Sequence, residues 1–124
     1  MKIEVKKIGN IKIISLIGDL DGSSASKVRE NLISHINRDS KLVFDMSQCE
    51  YISSVGLRVL LIVSKKLKSK GSKGVLAGLV EEVKNVMEIT GFDHMLSSYE
   101  TIDEAINVFR KEDDYGTCRQ LSNS

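Results

Sequence analysis

Two adjacent serines, Ser53 and Ser54, stand directly before a long apolar segment, and Gly56 follows them. A serine at a helix N-terminus lies beside unpaired backbone N–H groups and the positive end of the helix dipole, which stabilise an anion such as phosphate. Gly56 has no side chain, so another backbone or another protein could approach closely. A serine that only caps the helix, with a glycine packed on a neighbour, is the alternative interpretation.

A serine in a turn between a strand and a helix is also the arrangement of the nucleophile elbow, G-x-S-x-G. Ser54-Val55-Gly56 fits the second half of that motif, but Ile52 occupies the first glycine position. Either His35 or His94 could act as the base only through long-range placement. A small serine hydrolase therefore stays an alternative with an incomplete motif.

Motifs for cofactors and metals are missing from the sequence. It contains no GxxxxGK[ST] segment, and its glycines lack the GxGxxG spacing of dinucleotide-binding loops. The two histidines and the two cysteines, Cys49 and Cys118, are widely separated, whereas zinc ligands normally occur in closely spaced pairs. We expect no cofactor, no metal and two reduced cysteines.

The length and composition indicate one domain with no general attraction to polyanions. The chain has 124 residues and a formal net charge of +1, which gives no global basic footprint for nucleic acid or for an acidic membrane. Its longest uninterrupted apolar run, Val59 to Val63, is far shorter than a membrane helix. We therefore expect a cytoplasmic protein that binds neither nucleic acid nor membrane, and whose partner recognises a local site.

Hydrophobic periodicity divides the chain into alternating strands and helices, in the order β-β-α-β-α-β-α-β-α. This order predicts a mixed sheet of four to five strands with about four helices, formed by residues 1–110, and a flexible polar tail at 111–124. The expected strands are Lys2 to Lys7, Ile11 to Ile17, Lys41 to Phe44, Gly74 to Leu79 and Met95 to Ser98. The expected helices run from a cap at Ser23 or Ser24 to about Asn37, from Ser53 or Ser54 to Gly71, from Glu82 to Thr90, and from a capping box at Thr101 and Glu104 to Arg110.

Two motifs resemble those of the STAS domain, specifically of bacterial stand-alone anti-sigma factor antagonists. One is D-x-S-x-x-x-[FY]-[IM]-[DS]-S-x-G-L, matched here from Asp45 to Leu57, and the other is G-[DE]-[LI]-D, matched by Gly18-Asp19-Leu20-Asp21. The similarity extends over roughly residues 1–110 in the order of elements. It implies the STAS fold and a regulatory, non-enzymatic protein.

The resemblance also implies a phosphorylation switch at Ser54. In such antagonists the equivalent serine is phosphorylated by the partner anti-sigma factor, a serine kinase, and dephosphorylated by a serine phosphatase. The unmodified antagonist binds the anti-sigma factor and frees the sigma factor, whereas the phosphorylated form cannot bind. By the same resemblance, the partner-binding surface includes Asp21, Ser53, Ser54, Gly56 and Arg58.

The sequence departs from the family pattern at Ser53, where many phosphorylated members have Asp. Ser53 is therefore a competing hydroxyl for phosphorylation. Arg58 also stands where small residues are frequent, and it could pair with a phosphate one turn away. Both changes leave open a second possibility, a STAS scaffold or ligand-sensing module that binds without being phosphorylated.

Overall fold

A computed structural model describes residues 1–111 as a five-stranded sheet with helices on both faces. The observed element order matches the predicted order. The strands are β1 (Lys2–Ile8), β2 (Ile11–Ile17), β3 (Lys41–Asp45), β4 (Lys73–Ala77) and β5 (Ser98–Tyr99); the helices are α1 (Ala25–Ser34), α2 (Ser54–Ser69), α3 (Glu81–Thr90) and α4 (102–111).

The strands lie in the order β1-β2-β3-β4-β5, and only β1 and β2 are antiparallel. A Gly9-Asn10 turn joins these two strands, and Gly9 has a positive φ of 61°. The other neighbouring pairs are parallel, so each is joined by a crossover through a helical segment. The carboxyl ends of β2, β3 and β4 therefore meet at one edge of the sheet, which we call the upper edge.

Alternating side chains of the strands form two apolar cores, one on each face of the sheet. Leu42 and Phe44 of β3 pack with α1, α2 and α3, whereas Val43 packs on the opposite face with Ala105 and Phe109 of α4. Helix α2 is buried along much of its length, including Val59, Leu60, Val63 and Leu67, as the broad apolar band in its sequence predicts. Because side chains on both faces of the central strands are buried, the sequences of these strands do not alternate clearly between apolar and polar residues.

Helix α1 is shorter than the sequence predicts, because it ends at Ser34 and not near Asn37. The backbone tightens at this point: His35 N–H donates to the Leu32 carbonyl and Ile36 N–H to the Ile33 carbonyl, three residues back. The side chain of Ile36 nevertheless stays buried. Because Ile36 is apolar and buried like a residue of the helix, the apolar periodicity of the sequence predicted a helix that continues past Ser34.

Two strand boundaries also differ from the prediction. Strand β4 ends at Ala77 because Gly78 adopts a positive φ of 72°. The last strand comprises Ser98 and Tyr99, whereas the segment before it, predicted to be extended from Met95, follows a 3-10 turn at Phe92–His94. Phe92 in this turn and Leu96 after it are both buried, so their apolar character reflects core packing.

Thr101 and Glu104, the predicted capping pair, both make hydrogen bonds at the start of the final helix, but the Glu104 side chain reaches the residue before the N-cap and not Thr101 N–H as a capping box requires. Glu104 N–H donates to the Thr101 hydroxyl over 3.1 Å, and the Glu104 carboxylate accepts from Glu100 N–H over 3.2 Å. The helix extends to Lys111, which the sequence prediction placed in the tail. The rest of that predicted tail, 112–124, lies outside the described residues.

Across residues 1–111, none of the helices combines the length and the apolar character that crossing a membrane requires.

We predict that Leu60→Ala destabilises the protein by about 3 kcal/mol, because deletion of a fully buried leucine loses transfer free energy and leaves a cavity. Urea unfolding followed by circular dichroism measures the change. Ile89→Ala is the matched control, since this side chain is 86% exposed, and it should change stability by less than about 0.5 kcal/mol. Equal losses for the two variants would contradict the assigned core.

Candidate functional site

The site is built where the segment after β2 lies against the segment before α2. Gly18 N–H donates to the Gln48 carbonyl, Leu20 N–H to the Tyr51 carbonyl, and Ser53 N–H to the Leu20 carbonyl, each over 3.0 Å. Leu20 and Ile52 form an isolated parallel bridge between the two segments. The two sequence motifs, separated by more than twenty residues, are therefore joined by backbone hydrogen bonds at the upper edge of the sheet.

The two serines have different environments at the start of α2. Ser53 is the N-cap residue, with extended backbone angles, and its hydroxyl accepts a hydrogen bond from Gly56 N–H over 3.2 Å. Ser54 is the first helical residue and is exposed. The capping interpretation thus applies to Ser53, while Ser54 presents its side chain at the positive end of the dipole of α2.

Gly56 is required by packing within this chain. A Cβ atom at this position would lie 2.4 Å from the Leu20 carbonyl oxygen and 2.9 Å from side-chain atoms of Ile52 and Leu20. Such distances are well inside van der Waals contact, so a side chain would push α2 away from the segment after β2. The sequence left open whether another backbone or another protein approaches Gly56. In the structure, the backbone of Leu20 occupies this position.

Asp21 follows Leu20, and Leu20 forms a bridge with Ile52, the residue before Ser53. Its carboxylate accepts hydrogen bonds from the Ser23 hydroxyl over 2.6 Å and from Ser23 N–H over 2.9 Å. These hydrogen bonds to Ser23 lower the pKa of Asp21 because they stabilise the ionised form. Asp21 is therefore a fixed negative charge at neutral pH.

Ser24 is the N-cap residue of α1, as predicted, but its hydroxyl does not cap the helix. It accepts from Asp21 N–H over 3.1 Å and donates to the Asp19 carbonyl over 2.9 Å. The buried hydroxyl is thus used to hold the Asp19–Asp21 turn. Because the Ser24 hydroxyl satisfies these backbone groups near the core, it does not cap α1.

Arg58 and Ser54 lie one helical turn apart on α2, and both are exposed. Arg58 lines two shallow grooves, one between α1 and α2 and one of about 320 Å³ between α2 and the end of α3. Ser54 lines only the second groove, together with Thr90, Gly91 and Met95. These last three residues were missed by the sequence prediction, because only tertiary packing brings the end of α3 beside α2.

Two large exposed apolar side chains lie close to the serines in the sequence. Tyr51 is 53% exposed and Val55 is 47% exposed, and these two residues flank the pair of serines in the sequence. Large apolar groups at the surface beside a polar centre are typical of protein-binding sites. The spacing of Tyr51 and Val55 was visible in the sequence, but their exposure was not.

Other residues of the Asp45 to Leu57 motif support the loop. The Asp45 carboxylate accepts from Ser47 N–H over 3.0 Å and from the Ser15 hydroxyl over 3.1 Å, which links β3 to β2. Cys49 is fully buried, its thiol donates to the Tyr51 carbonyl over 3.4 Å, and burial raises its pKa. A protonated, buried thiol is unreactive.

Within residues 1–111, the structure contains no cluster of metal-ligating side chains. No group of three or more His, Cys, Asp or Glu side chains in this part of the chain is placed to hold a metal ion. Neither histidine lines the groove beside Ser54. His94 is exposed and His35 is half-buried at the end of α1.

The described chain is an α/β domain with an exposed serine at the start of a helix. The chain belongs to the STAS domain family, whose profile matches residues 2–105. Its fold is therefore the STAS fold, as the motifs predicted, and its role is regulatory and not enzymatic.

Individual relatives agree with this assignment. The chain is 34% identical over 93 residues to BtrV of Bordetella bronchiseptica, covering 74% of this chain and 80% of that protein. It is 31% identical over 98 residues to the anti-sigma-B factor antagonist of Listeria monocytogenes, covering 77% and 86%. The crystal structure of an anti-sigma factor antagonist from Mycobacterium paratuberculosis superposes with a TM-score of 0.74 at 26% identity, covering 88% of this chain and 93% of that one.

We predict that Gly56→Ala destabilises the protein by about 1–3 kcal/mol, although alanine favours a helix by about 1 kcal/mol. The physical reason is the 2.4 Å approach to the Leu20 carbonyl. Gly22→Ala is the matched control, because a Cβ there meets nothing within 4 Å. Urea unfolding of both variants measures the difference, and a stabilised Gly56→Ala protein would refute the proposed contact.

We also predict a pH dependence from Asp21. Because its pKa is lower in the folded than in the unfolded protein, its contribution to stability is present above the unfolded pKa of about 3.9 and is lost as the pH falls through the folded value. Asp21→Ala should therefore be less stable than wild type at pH 7, and the gap should narrow towards pH 3. A gap that is constant with pH would exclude this charge effect.

Proposed function

We propose that this protein is a cytoplasmic anti-sigma factor antagonist whose Ser54 is the acceptor of a regulatory phosphate. The observation that supports Ser54 most directly is the different use of the two hydroxyls. The Ser53 hydroxyl is engaged with Gly56 N–H, whereas Ser54 is exposed as the first residue of the helix. A kinase can reach the Ser54 hydroxyl without breaking the cap of α2.

The partner in this proposal is an anti-sigma factor with serine kinase activity, and it binds the unmodified surface. That surface comprises Asp21, Ser53, Ser54 and Arg58, and we add the exposed side chains of Tyr51 and Val55; Gly56, which the resemblance also implied, is buried against Leu20 and supports the surface from within. Apolar side chains that are already exposed supply contact area, and Arg58 supplies a charge that can pair with the partner. Binding of the antagonist would free the sigma factor.

A phosphate on Ser54 would oppose this docking through charge and hydration. It adds about −1.5 to −2 charges at neutral pH. Asp21 directly follows Leu20, which forms a bridge with Ile52. A phosphate on Ser54 would therefore add a second negative group to the surface that contains the Asp21 carboxylate. An apolar interface that covers two such groups must remove their hydration, which weakens binding.

The modified form would nevertheless be well tolerated by the fold. A phosphate at the first residue of α2 lies at the positive end of the helix dipole, and Arg58 is one turn along on the same helix. Phosphorylation is therefore expected to weaken partner binding while leaving the domain folded. A serine phosphatase acting on the exposed phosphate would complete the switch.

We predict that Ser54→Ala abolishes phosphorylation by the cognate anti-sigma factor in the presence of ATP and Mg²⁺. Intact-mass spectrometry and peptide mapping measure the phosphate. The matched control is Ser53→Ala, which should lose about 1 kcal/mol of stability with its cap but still accept phosphate on Ser54. Phosphate retained by Ser54→Ala would assign the acceptor to another residue, with Ser53 the first to examine.

Binding measurements with the same partner test the switch itself. Ser54→Asp should bind the anti-sigma factor at least about tenfold more weakly than Ser54→Ala, since a desolvated charge costs 1.4 kcal/mol or more. Isothermal titration calorimetry with purified proteins gives both affinities. Equal affinity for both variants would favour a STAS scaffold that binds without modification.

A further inference from the structure

Strand β1 forms one edge of the sheet, and within residues 1–111 it has a strand neighbour on one side only. It pairs with β2 in an unbroken register from Lys2 to Ile8. The outer side of an edge strand presents a row of N–H and C=O groups with which another chain can pair. With seven residues β1 is long enough for such pairing, whereas β5 at the opposite edge has only two.

The turn after β1 determines which of its backbone groups point outward. Ile8 and Ile11 are partners across the two-residue Gly9-Asn10 turn, so they exchange both of their N–H···O=C hydrogen bonds. Hydrogen-bonded and non-hydrogen-bonded pairs alternate along an antiparallel ladder. Every second residue of β1, counted back from Ile8, therefore bonds to β2, and the residues between them direct their N–H and C=O groups away from the sheet. These outward residues are Ile3, Val5 and Lys7.

The central outward residue, Val5, has a side chain that core packing does not explain. Val5 is 43% exposed, and it is not among the residues that pack on either core of residues 1–111. Its neighbour on the same face, Ile3, packs against the larger core. An exposed β-branched residue in the middle of an edge strand is typical of a surface that pairs with another strand.

A second copy of β1 can pair with this edge in an antiparallel register centred on Val5. In that register Val5 lies opposite Val5 of the second copy, and Ile3 lies opposite Lys7. Each outward residue of one copy then faces an outward residue of the other. The three facing pairs exchange about six N–H···O=C hydrogen bonds, so no outward group between Ile3 and Lys7 is left without a partner.

The same register places opposite charges directly across from each other. Glu4 lies opposite Lys6 of the second copy, and two-fold symmetry repeats this pair on the other side of Val5. Opposite charges in facing positions stabilise strand pairing. Glu4 already contacts Lys2 of its own strand through Oε1 over 3.2 Å. Both side chains of that ion pair are mainly exposed, so it is weak, and the second carboxylate oxygen of Glu4 would meet Lys6.

The neighbouring antiparallel registers are disfavoured. A slip of one residue would place outward groups opposite groups that already bond to β2. A slip of two residues would centre the pairing on Glu4, with Glu4 opposite Glu4 and Lys2 opposite Lys6, or on Lys6, with Lys6 opposite Lys6. Like charges in facing positions destabilise a sheet. The lysines of β1 thus prevent indiscriminate edge pairing but permit the register centred on Val5.

This pairing also stops after two copies. A two-fold contact uses the β1 edge of both chains. The edges that remain are the two-residue β5 strands, which are too short to add further copies in the same way. The assembly is therefore a closed dimer in which two five-stranded sheets join.

We propose that β1 is a dimerisation edge and that its partner is a second copy of this chain. Seven residues a side are fewer than the roughly 20–30 of a standard protein interface, so the dimer forms reversibly and at high protein concentration. None of the β1 residues belongs to the proposed partner-binding surface. A dimer would therefore carry two Ser54 surfaces, and its existence does not depend on the proposed antagonist function.

Sedimentation equilibrium of the full chain from about 20 µM to about 1 mM tests this proposal. The average mass of wild type should rise with concentration from that of one chain towards that of two, and no further. The mass of a single chain throughout this range would overturn the proposal. A mass above two chains would also overturn it, because the two-fold pairing of β1 cannot extend.

Charge reversals test the pairing of Glu4 with Lys6. Glu4→Lys and Lys6→Glu should each weaken self-association at least about fivefold, because each places like charges opposite each other at two positions. An equimolar mixture of the two variants restores opposite charges at both positions and should associate at least as tightly as wild type. Circular dichroism checks that both variants are folded.

Net charge is separated from register by the sign of the two changes. Glu4→Lys raises the net charge and Lys6→Glu lowers it, so a net-charge effect would shift their association in opposite directions. Lys84→Glu, an exposed position on α3, is the matched control and should change association less than about twofold. Opposite shifts of the two β1 variants, or a mixture that associates as weakly as each alone, would overturn the proposed register.

Amide hydrogen exchange provides a second test of the register. Protection of the Ile3, Val5 and Lys7 amides should increase with protein concentration, because the dimer supplies their hydrogen-bond acceptors. The Glu4 and Lys6 amides bond to β2 and should be equally protected at every concentration. Self-association without any change in protection at Val5 would overturn the proposal and assign the dimer to another surface.

Discussion

The position of the whole site depends on the carbonyl oxygen of Leu20. This oxygen accepts the hydrogen bond from Ser53 N–H, and it is also the atom that a Cβ at residue 56 would approach to 2.4 Å. The first turn of α2 is therefore held against the segment after β2 by a backbone contact that only glycine permits. Ser53, Ser54 and Asp21 owe their relative placement to this contact.

The two adjacent serines at this contact have different roles, although their side chains are chemically identical. Ser53 uses its hydroxyl to cap the helix, so the helix N-terminus is stabilised whatever happens at the next residue. Ser54, in the first helical position, is exposed and can change its chemical state without removing a hydrogen bond from the fold. An aspartate, the other residue that the family motif allows at position 53, could accept the same N–H group. The serine therefore preserves the cap but carries no charge.

Helix α2 crosses the larger core from the site to the opposite end of the molecule. Its N-terminus presents Ser54 and Arg58, and Lys66, Lys68 and Lys70 lie at its C-terminus. Because α2 is also the most deeply packed helix of the larger core, neither end can shift without disturbing Val59, Leu60 and Val63. The rigid core thus fixes the position of the proposed protein-binding surface.

The sequence alone determined the order of the elements, the STAS fold and the serines that begin α2, since apolar periodicity and a contiguous motif are local properties. It placed the ends of α1 and β5 incorrectly, because Ile36, Phe92 and Leu96 are apolar for reasons of core packing and not of helix or strand period. Only the tertiary structure showed that Gly56 meets Leu20 and that Thr90 and Met95 lie beside Ser54. Each of these is a contact between residues far apart in the chain, and their proximity is set by how helices pack on the sheet.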